Sequence, residues 1–515
     1  MGLWYLLFLV SSIVLLLRLI RNRDRDQTTP ASRLPPGPWR LPIIGSMHHM
    51  VGSSLPHHRL RDLARRYGPV MHLQLGEVSM VVITSVEAAQ EVLKTQDVNF
   101  ASRPQLLATQ ILSYGGRGMA FAPYGDYWRQ LRRVSVLELL SSKRVQSFRR
   151  IREEELDELV RSISSSSQTS AAAAGLVNLS DKLYSLSNDI TARSAFGKKC
   201  AEQRRFIPLM REMIELGGSF NLADLFPSSS LASRLSGLSS RLQRCHVEVD
   251  GILDDIVEEH RASRRVARED GEGDRSETPD LLDVLLRFQQ GGDLGVPMTV
   301  DNVKAVLLDL FIGGSETTST IIQWAMSELM RNPGVMKRVQ AEVRGVLRGK
   351  EKVREEDVSE LHYLKLVVKE TLRLHPPIPL LLPREAREAC EVQGYEVPRN
   401  ARVIVNAWAL GRDPLHWDDA ESFFPERFDG GGVDFKGAHL EYIPFGAGRR
   451  MCPGMAFGLA AVELPLAHLL YHFDWELPDG SGGGELDMSE TLGATSSRRS
   501  DLWLYAIPQM PYCSQ

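Results

Sequence analysis

The sequence predicts a mainly α protein with a minor β portion, folded as one large domain behind an N-terminal transmembrane helix. Three observations lead there. An uncharged apolar run opens the 515-residue chain. Beyond it helical patterning dominates, with one clear hairpin. No shift in composition divides residues 35–515. With 43% hydrophobic and 24% charged residues, the chain has ample material for a core. The 61 Lys and Arg against 65 Asp and Glu leave a formal net charge of −4, which argues against a nucleic-acid binder. Cys200, Cys245, Cys390, Cys452 and Cys513 are few, odd in number and far apart, and no C-x-x-C occurs. Neither a disulfide framework nor a zinc ribbon is expected, and the bulk of the chain should face a reducing compartment.

At the N-terminus, Leu3–Leu17 is uncharged, and Leu19 and Ile20 carry the apolar run past Arg18. As a helix, Leu3 to Ile20 rises roughly 27 Å, the thickness of a thin bilayer. Arg18 can reach the headgroups. A cleaved signal peptide fits less well, because no basic residue precedes the run and no small-residue cleavage site follows it. Arg18, Arg21, Arg23 and Arg25 follow instead, which places the rest of the chain in the cytosol. Gly2 does not begin a myristoylation signal, since position 6 is Leu. Residues 1–20 are therefore read as a membrane anchor and residues 21–42 as a polar, then proline-rich linker. Pro35, Pro36, Pro38 and Pro42 fix φ and make its second half a stiff spacer. Residues 43–515 form the single large domain.

Within that domain, Val70–Leu75 and Met80–Thr84 alternate apolar with other residues around Gly76-Glu77, as a β-hairpin does. Ser164–Gly175, Arg268–Pro279, Asp429–Gly431 and Gly482–Gly484 have the composition of surface loops. No repeat of solenoid period is present. The longest predicted helix starts near Thr299 or Asp301, either able to cap it, and stops before Pro333. Its apolar run is interrupted at Gly313-Gly314-Ser315-Glu316-Thr317 and resumes at Ile321. Two interior glycines cost about 1 kcal/mol each relative to alanine, and the acid and hydroxyls beside them need partners or water. The segment is then a loop between two helices, a helix packed closely on its neighbour, or a helix opened to admit a flat ligand.

Cys452 stands apart from the other cysteines. It lies in Pro444-Phe445-Gly446-Ala447-Gly448-Arg449-Arg450-Met451-Cys452-Pro453-Gly454, directly before an apolar helical stretch from Met455 to His472. The glycines allow positive φ and close backbone approach. The helix N-terminus and the neighbouring arginines favour thiolate, and unpaired loop N–H groups can donate to the sulfur.

Phe445-x-x-Gly448-x-Arg450-x-Cys452-x-Gly454 resembles the heme-binding signature of the cytochrome P-450 superfamily at every defining position. Glu370-Thr371-Leu372-Arg373 resembles its E-x-x-R, and Pro425-Glu426-Arg427-Phe428 its P-E-R-F, in the family's order. Gly313-Gly314-Ser315-Glu316-Thr317 is similar to its [AG]-G-x-[DE]-T, with Gly in place of the commoner Ala and Glu in place of the commoner Asp, a departure bearing on groove width and proton delivery. Trp128-Arg129-Gln130-Leu131-Arg132 resembles its W-R-x-x-R. The resemblance covers residues 34–515. The proline-rich hinge, Arg373-Leu374-His375-Pro376-Pro377 and Asp224-Leu225-Phe226-Pro227 look like plant microsomal members of the specialised-metabolism clan.

What the resemblance implies is a cytochrome P-450-type fold and a heme b held by the Cys452 thiolate. Trp128, Arg132, Arg384 and Arg450 would bind its propionates, with Phe445, Gly448 and Gly454 shaping the cysteine loop. Glu316 and Thr317 would handle protons, and Glu370, Arg373 and Arg427 would form a buried structural ion cluster. It further implies dioxygen as co-substrate and a hydrophobic small molecule as substrate, a terpenoid before an alkyl phenolic. No G-x-G-x-x-G fingerprint is present, so electrons should come from a separate NADPH-cytochrome P-450 reductase. That partner would dock near Arg129, Arg133, Lys143 and Arg144. Localisation would be the endoplasmic reticulum membrane, single-pass, with a cytosolic catalytic domain, so the sequon at Asn178 should go unused. The substrate pocket would draw on Ser102–Phe121, Leu222–Leu225, Ala305–Ile312, Ile378–Leu382 and Leu492–Thr495. Two other readings share the fold: a reductase-independent enzyme that rearranges hydroperoxides, against which Glu316-Thr317 weighs, and a catalytically silent heme-binding membrane protein. A zinc hydrolase lacks H-E-x-x-H.

Overall fold

A computed structural model describes residue 11 and residues 33–509, apart from 53, 169–174, 200–202, 219–220, 230–236, 270–278, 292–296, 351–352, 479–485, 492 and 494. The expected membrane anchor, Ser11 apart, and most of the linker lie outside the described residues, as do Cys200, Cys513 and the glycine run 482–484. The architecture is mainly helical with minor sheet. The principal helices are α1 (Pro56–Tyr67), α2 (Asp126–Val134), α3 (Arg149–Gln168), α4 (Leu179–Phe196), α5 (Gln203–Gly218) and α6 (Leu238–Glu269). They continue with α7 (Leu281–Gln289), α8 (Val300–Arg331), α9 (Pro333–Val346), α10 (His362–Leu374) and α11 (Met455–His472).

The hairpin forms where alternation places it. Strands β1 (Val70–Leu75) and β2 (Val78–Ile83) pair antiparallel, Leu75 opposite Val78. They belong to a four-stranded sheet that also holds β4 (Arg384–Glu385) and β7 (Arg402–Val405), in the order β1-β2-β7-β4. Successive side chains point to opposite faces. Val81, Ile83, Val403 and Val405 fill one apolar cluster, while Met80, Val82 and Ile404 fill another. The sheet is thus buried on both sides, which explains its runs of apolar residues. Strand β3 (Leu176–Asn178) pairs with β9 (Trp503–Pro508), which pairs with β8 (Phe473–Glu476). Strands β5 (Cys390–Val392) and β6 (Tyr395–Val397) form a separate ribbon.

The helical part is organised on α8. Thr299, not Asp301, caps it: the Thr299 hydroxyl takes the Asn302 N–H while the Asn302 side chain takes the Thr299 N–H, satisfying two orphan donors. Asp301 pairs with Arg117 at 2.7 Å instead. Pro333 stops the helix and opens α9. The glycine-acid-threonine segment remains helical throughout, so the two-helix reading is corrected. Helix α8 packs most extensively on α4 and then α11. Both α8 and α11 are long and apolar enough to cross a membrane, yet 61% and 67% of their apolar windows are buried in the fold. They are core helices.

Two loop expectations are also corrected. Helix α3 runs through Ser164–Gln168, and α6 runs through Arg268 and Glu269. Serines inside a helix cost only tenths of a kcal/mol each, less than the packing of Val160 and Ile163 in the core returns.

Candidate active site

The loop that carries Cys452 folds back on itself. The Cys452 N–H donates to the Phe445 carbonyl at 2.8 Å, and Gly446 and Gly448 both sit at φ +71°. Gly448 is seated on another part of the chain: a Cβ there would lie 2.1 Å from the Leu93 carbonyl oxygen. The Arg449 N–H donates to Asp97 at 2.9 Å, which anchors the loop to the same segment. Phe445 stacks edge-on against Phe435 at 5.5 Å. Helix α11 begins three residues after the cysteine.

The Cys452 side chain is exposed, and it lines a cavity enclosed by α8, α11, the cysteine loop and the segments around Met119 and Leu381. That exposure is into the cavity; the sulfur lies deep in the protein, where desolvation pushes the thiol up from its ordinary value and the Gly454 backbone N–H and the Arg132 guanidinium oppose the shift. Both of those groups favour thiolate. Cys245 is buried among core residues and Cys390 lies in β5, so Cys452 is the one free cysteine among the described residues that faces this cavity.

Four guanidiniums gather around it. Arg103, Arg132, Arg384 and Arg450 all line the cavity. Arg384 donates to Asp97, to the Phe100 carbonyl and to the Ala447 carbonyl. Arg450 donates to the carbonyls of Ala101, Met119 and Ala122 and stacks over Trp128 at 4.1 Å. Trp128 gives its indole N–H to Met119. Arg132 donates no hydrogen bond to any described residue. Burial first, then mutual repulsion, lowers Arg103 and Arg450, the latter to about 9. Four cations against the carboxylates of Asp97 and Asp309 leave the cavity wall with excess positive charge, which a dianionic porphyrin would neutralise. A thiol beneath and an unpartnered guanidinium beside it fit heme.

On α8 the two glycines do different things. A Cβ on Gly314 would come within 2.9 Å of Thr191 on α4, so this glycine permits close helix packing. Gly313 has nothing within 4 Å of its would-be Cβ and lines the cavity. Thr317 lines it too, its hydroxyl donating to the Gly313 carbonyl at 2.7 Å. Glu316 is not among the cavity-lining residues. Adjacent helical residues diverge by about 100°, and Glu316 turns toward Tyr184 on α4 and Arg211 on α5. Burial raises its carboxyl from the ordinary value, and Arg211 and the Tyr184 hydroxyl hold it down. Arg211 also stacks over the Tyr184 ring at 4.1 Å. The structure therefore brings Thr317 and Cys452 to one cavity and routes Glu316 to its far side.

Glu370 and Arg373 have fully buried side chains. Arg373 makes a bidentate pair with Glu370, both contacts 2.8 Å, and donates to the carbonyls of Gly411, Ala420 and Ser422. Arg427 reaches Glu370 at 3.0 Å, and the Phe424 N–H reaches it at 2.8 Å. These residues lie outside the cavity.

Of the expected pocket segments, three contribute: Arg103, Met119 and Ala120; Asp309 and Leu310; Ile378, Leu381 and Leu382. Leu222–Leu225 does not line the cavity. It is stapled to the hairpin turn, the Glu77 N–H donating to the Leu225 carbonyl at 2.8 Å. Residues 492 and 494 lie outside the described residues. Within those segments, sequence reasoning singled out neither Arg103 nor Asp309. Arg103 is one cation in an unpatterned stretch, and only the fold shows it bridging Ala120, Leu382 and Pro383. Asp309 sits between two leucines and carries no motif.

This geometry defines a heme-thiolate enzyme. The chain belongs to the cytochrome P-450 family, whose model matches residues 35–499. It is 53% identical over 500 residues to desmethyl-deoxy-podophyllotoxin synthase of Sinopodophyllum hexandrum, covering 97% of each chain. It is 51% identical over 505 residues to premnaspirodiene oxygenase of Hyoscyamus muticus, covering 98% of each. Among solved structures, a zebra fish cytochrome P-450 with progesterone superposes with a TM-score of 0.73 at 27% identity, over 89% of this chain and all of that one. The protein is thus a cytochrome P-450 monooxygenase of plant type, with heme and an axial cysteine thiolate.

Gly448→Ala is expected to remove most of the bound heme. The new methyl group would meet the Leu93 carbonyl, and its φ of +71° disfavours any side chain. The check is the Soret-to-protein absorbance ratio of the purified variant, with far-ultraviolet dichroism to show that the helices remain.

Proposed function

We infer that the protein is a membrane-anchored enzyme of the endoplasmic reticulum that hydroxylates a hydrophobic small molecule of plant specialised metabolism, a terpenoid in first place and an alkyl phenolic next. Its electrons come from NADPH-cytochrome P-450 reductase. The observation that carries this reading is one largely apolar cavity into which the Cys452 thiol and the Thr317 hydroxyl both open. The relatives' names, premnaspirodiene oxygenase and desmethyl-deoxy-podophyllotoxin synthase, support a small molecule of specialised metabolism as substrate.

Cys452 would hold the heme iron through its thiolate, and Arg132, Arg384, Arg450 and Trp128 would hold the propionates. When bound, the heme supplies the oxidant for C–H hydroxylation. Everything else falls to side chains. The Gly454 N–H donates to the Cys452 sulfur and tempers its basicity. Leu310, Ile378, Leu381 and Leu382 orient an apolar substrate and exclude water. Thr317 holds a proton at its hydroxyl oxygen beside the reacting centre, anchored to the Gly313 carbonyl. Glu316 passes protons toward it from the far face of α8, where Tyr184 and Arg211 connect the carboxyl outward. The docking face for the reductase includes Arg133 and Lys143, both exposed, with Arg129 paired to Asp126 beside them. Arg144 is committed elsewhere, to the carbonyls of Glu138 and Pro279.

The test is turnover of premnaspirodiene with reductase, NADPH and dioxygen, comparing the parent enzyme with Thr317→Ala. Hydroxylated product from the parent is expected. The variant should keep consuming NADPH while losing product by about 10²-fold, the upper range for losing one proton-transfer group being near 10⁴. Equal product per NADPH from both proteins would remove Thr317 from the mechanism, and product without NADPH would favour the reductase-independent alternative.

A further inference from the structure

A group of side chains with metal-ligand chemistry lies away from the cysteine cavity, where α1 meets the C-terminal part of the chain. His57 and His58 stand in the first turn of α1. Glu490, 433 residues after His57, comes from a turn closed by its bridge to Arg498. One donor atom from each of the three lies within 4.8 Å of the other two. His57 Nε2 and Glu490 Oε2 are 2.9 Å apart, with side-chain exposures of 5% and 10%. His58 Nε2 is buried and has no hydrogen-bond partner among the described residues. None of the three lines the cavity that holds Cys452.

Outer contacts hold these donors in place. The Ser496 hydroxyl donates to Glu490 Oε2, and the Asn406 amide donates to the His57 carbonyl at 2.8 Å. The Trp408 ring lies against His58 with centroids 4.2 Å apart, and meets His57 edge-on at 5.1 Å. Arg61 and Arg412 also stack on Trp408, but Glu421 pairs with both, at 3.2 and 3.0 Å, and offsets their charge. Among the described residues no lysine or arginine pairs with Glu490. The other such group, His260 with Asp280 and Asp283, is already filled by Arg264, which pairs with both carboxylates. Burial lowers His58 to about 4, so its ring is neutral at pH 7. Burial raises the Glu490 carboxyl, yet the His57 hydrogen bond outweighs it and holds the group at about 2. A neutral imidazole and an ionised carboxylate are the states in which a metal takes these ligands.

We propose that His57, His58 and Glu490 form a structural site for a divalent transition-metal cation, zinc by the chemistry of its ligands, which clamps α1 to the Glu490 turn. Two imidazole nitrogens and one carboxylate are a donor set that zinc takes at about 2.0–2.2 Å, with water as the fourth ligand. Around a tetrahedral ion of that size the ligand atoms stand ~3.3 Å apart. The His57–Glu490 separation therefore opens slightly, and a ring nitrogen of His58 closes in. Packing accounts for the His57–Glu490 pair. It does not account for a buried imidazole nitrogen left unpaired beside that pair, which costs free energy. The half-buried ring of His58 gives the ion its path from solvent. The Ser496 carbonyl accepts the Trp324 indole N–H of α8 at 2.9 Å, so the clamp extends to the core helix. Lying apart from the heme cavity, the site is independent of the substrate.

The experiment uses the holoenzyme without a histidine tag, stripped by a chelator and then given zinc chloride alone. Equilibrium dialysis reads zinc bound per heme. X-ray absorption at the zinc edge reads its ligands without interference from iron. The parent is expected to retain one zinc per heme, held by nitrogen and oxygen, with imidazole scattering and no sulfur. His58→Ala should weaken zinc at least about tenfold, or ~1.4 kcal/mol, and Glu490→Gln should do the same. His58→Ala keeps the His57–Glu490 pair, so its carbon monoxide difference band should persist. Zinc should raise the urea midpoint of the parent and leave that of His58→Ala unmoved, because a ligand of the native state stabilises it by mass action. His48→Ala/His49→Ala, which removes the other adjacent histidine pair, should bind zinc as the parent does. The zinc-edge spectrum of the parent carries the test if a ligand variant fails to fold. No zinc retained by the parent, sulfur among its ligands, equal binding by parent and His58→Ala, or loss of binding in the His48/His49 variant would each overturn the proposal.

Discussion

Cys452→Ala is expected to abolish the strongly red-shifted Soret band of the carbon monoxide complex and to bring reductase-supported oxygenation to background. The red shift reports a thiolate opposite carbon monoxide, and among the described residues no other free cysteine lines the cavity. The surroundings of this sulfur make the expectation sharp. Burial alone would keep it a thiol, and the Gly454 N–H and Arg132 pull the other way. A bound metal settles that contest, since a coordinating thiol is deprotonated outright. The variant should fold, because the loop's closure rests on the Cys452 backbone N–H and the Phe445 carbonyl, which alanine keeps. Far-ultraviolet dichroism matching the parent would show this. A parent protein whose band sits at the position of imidazole-ligated heme would mean that Cys452 is displaced or protonated. Well-folded parent protein without any heme band would overturn the assignment of this cysteine.

The second large effect is expected at the ion cluster. Glu370→Ala and Arg373→Ala should each cost about 3–5 kcal/mol, because each leaves an uncompensated charge in a dry interior. Against a typical total stability of ~5–15 kcal/mol, that is the difference between a usable enzyme and one that is largely unfolded on expression. A buried ion pair can often be exchanged for apolar residues with little loss, and here it should not be. Removing Glu370 and Arg373 together would leave the Phe424 N–H without its acceptor and Arg427 without its carboxylate partner. It would also leave the carbonyls of Gly411 and Ala420 without their guanidinium donor. Glu370→Leu/Arg373→Met is therefore expected to unfold at a lower urea concentration than the parent, with a deficit close to that of the single variants. Tryptophan fluorescence follows the transition directly, since Arg373 lies 5.2 Å from the Trp417 ring centroid. A double variant as stable as the parent would show that the cluster contributes only a replaceable pair.

Much of this was legible in the sequence, for physical reasons that differ from place to place. The hairpin declared itself because period-two alternation meets a Gly turn, and α8 because a capping threonine and a stopping proline bracket a long apolar run. The cysteine loop was legible because a sulfur ligand needs glycine, a cation and a following helix close together in the chain. The direction of Glu316 was not. Two neighbours in one motif cannot face the same way on a helix, and the sequence alone does not say which of them faces inward. Ser164–Gln168 was read as a loop because serine prefers caps and turns, yet the helix it continues is fixed by packing farther along. Arg103 and Asp309 stayed hidden because what they do is set by carbonyl and amide groups, which no side-chain pattern records.

The seating of Gly448 on the Leu93 carbonyl bears on how such enzymes can be recombined. The loop that presents the sulfur takes its position from residues 93–97, more than three hundred positions earlier in the chain, through that contact and through Asp97. It is not a cassette. A chimaera that takes residues 444–454 from one parent and residues 91–97 from another joins two halves of a single mould, and any mismatch between them is transferred undiminished to the height of the sulfur. Crossover points that keep both stretches from the same parent preserve that height, however different the substrate-facing segments between them.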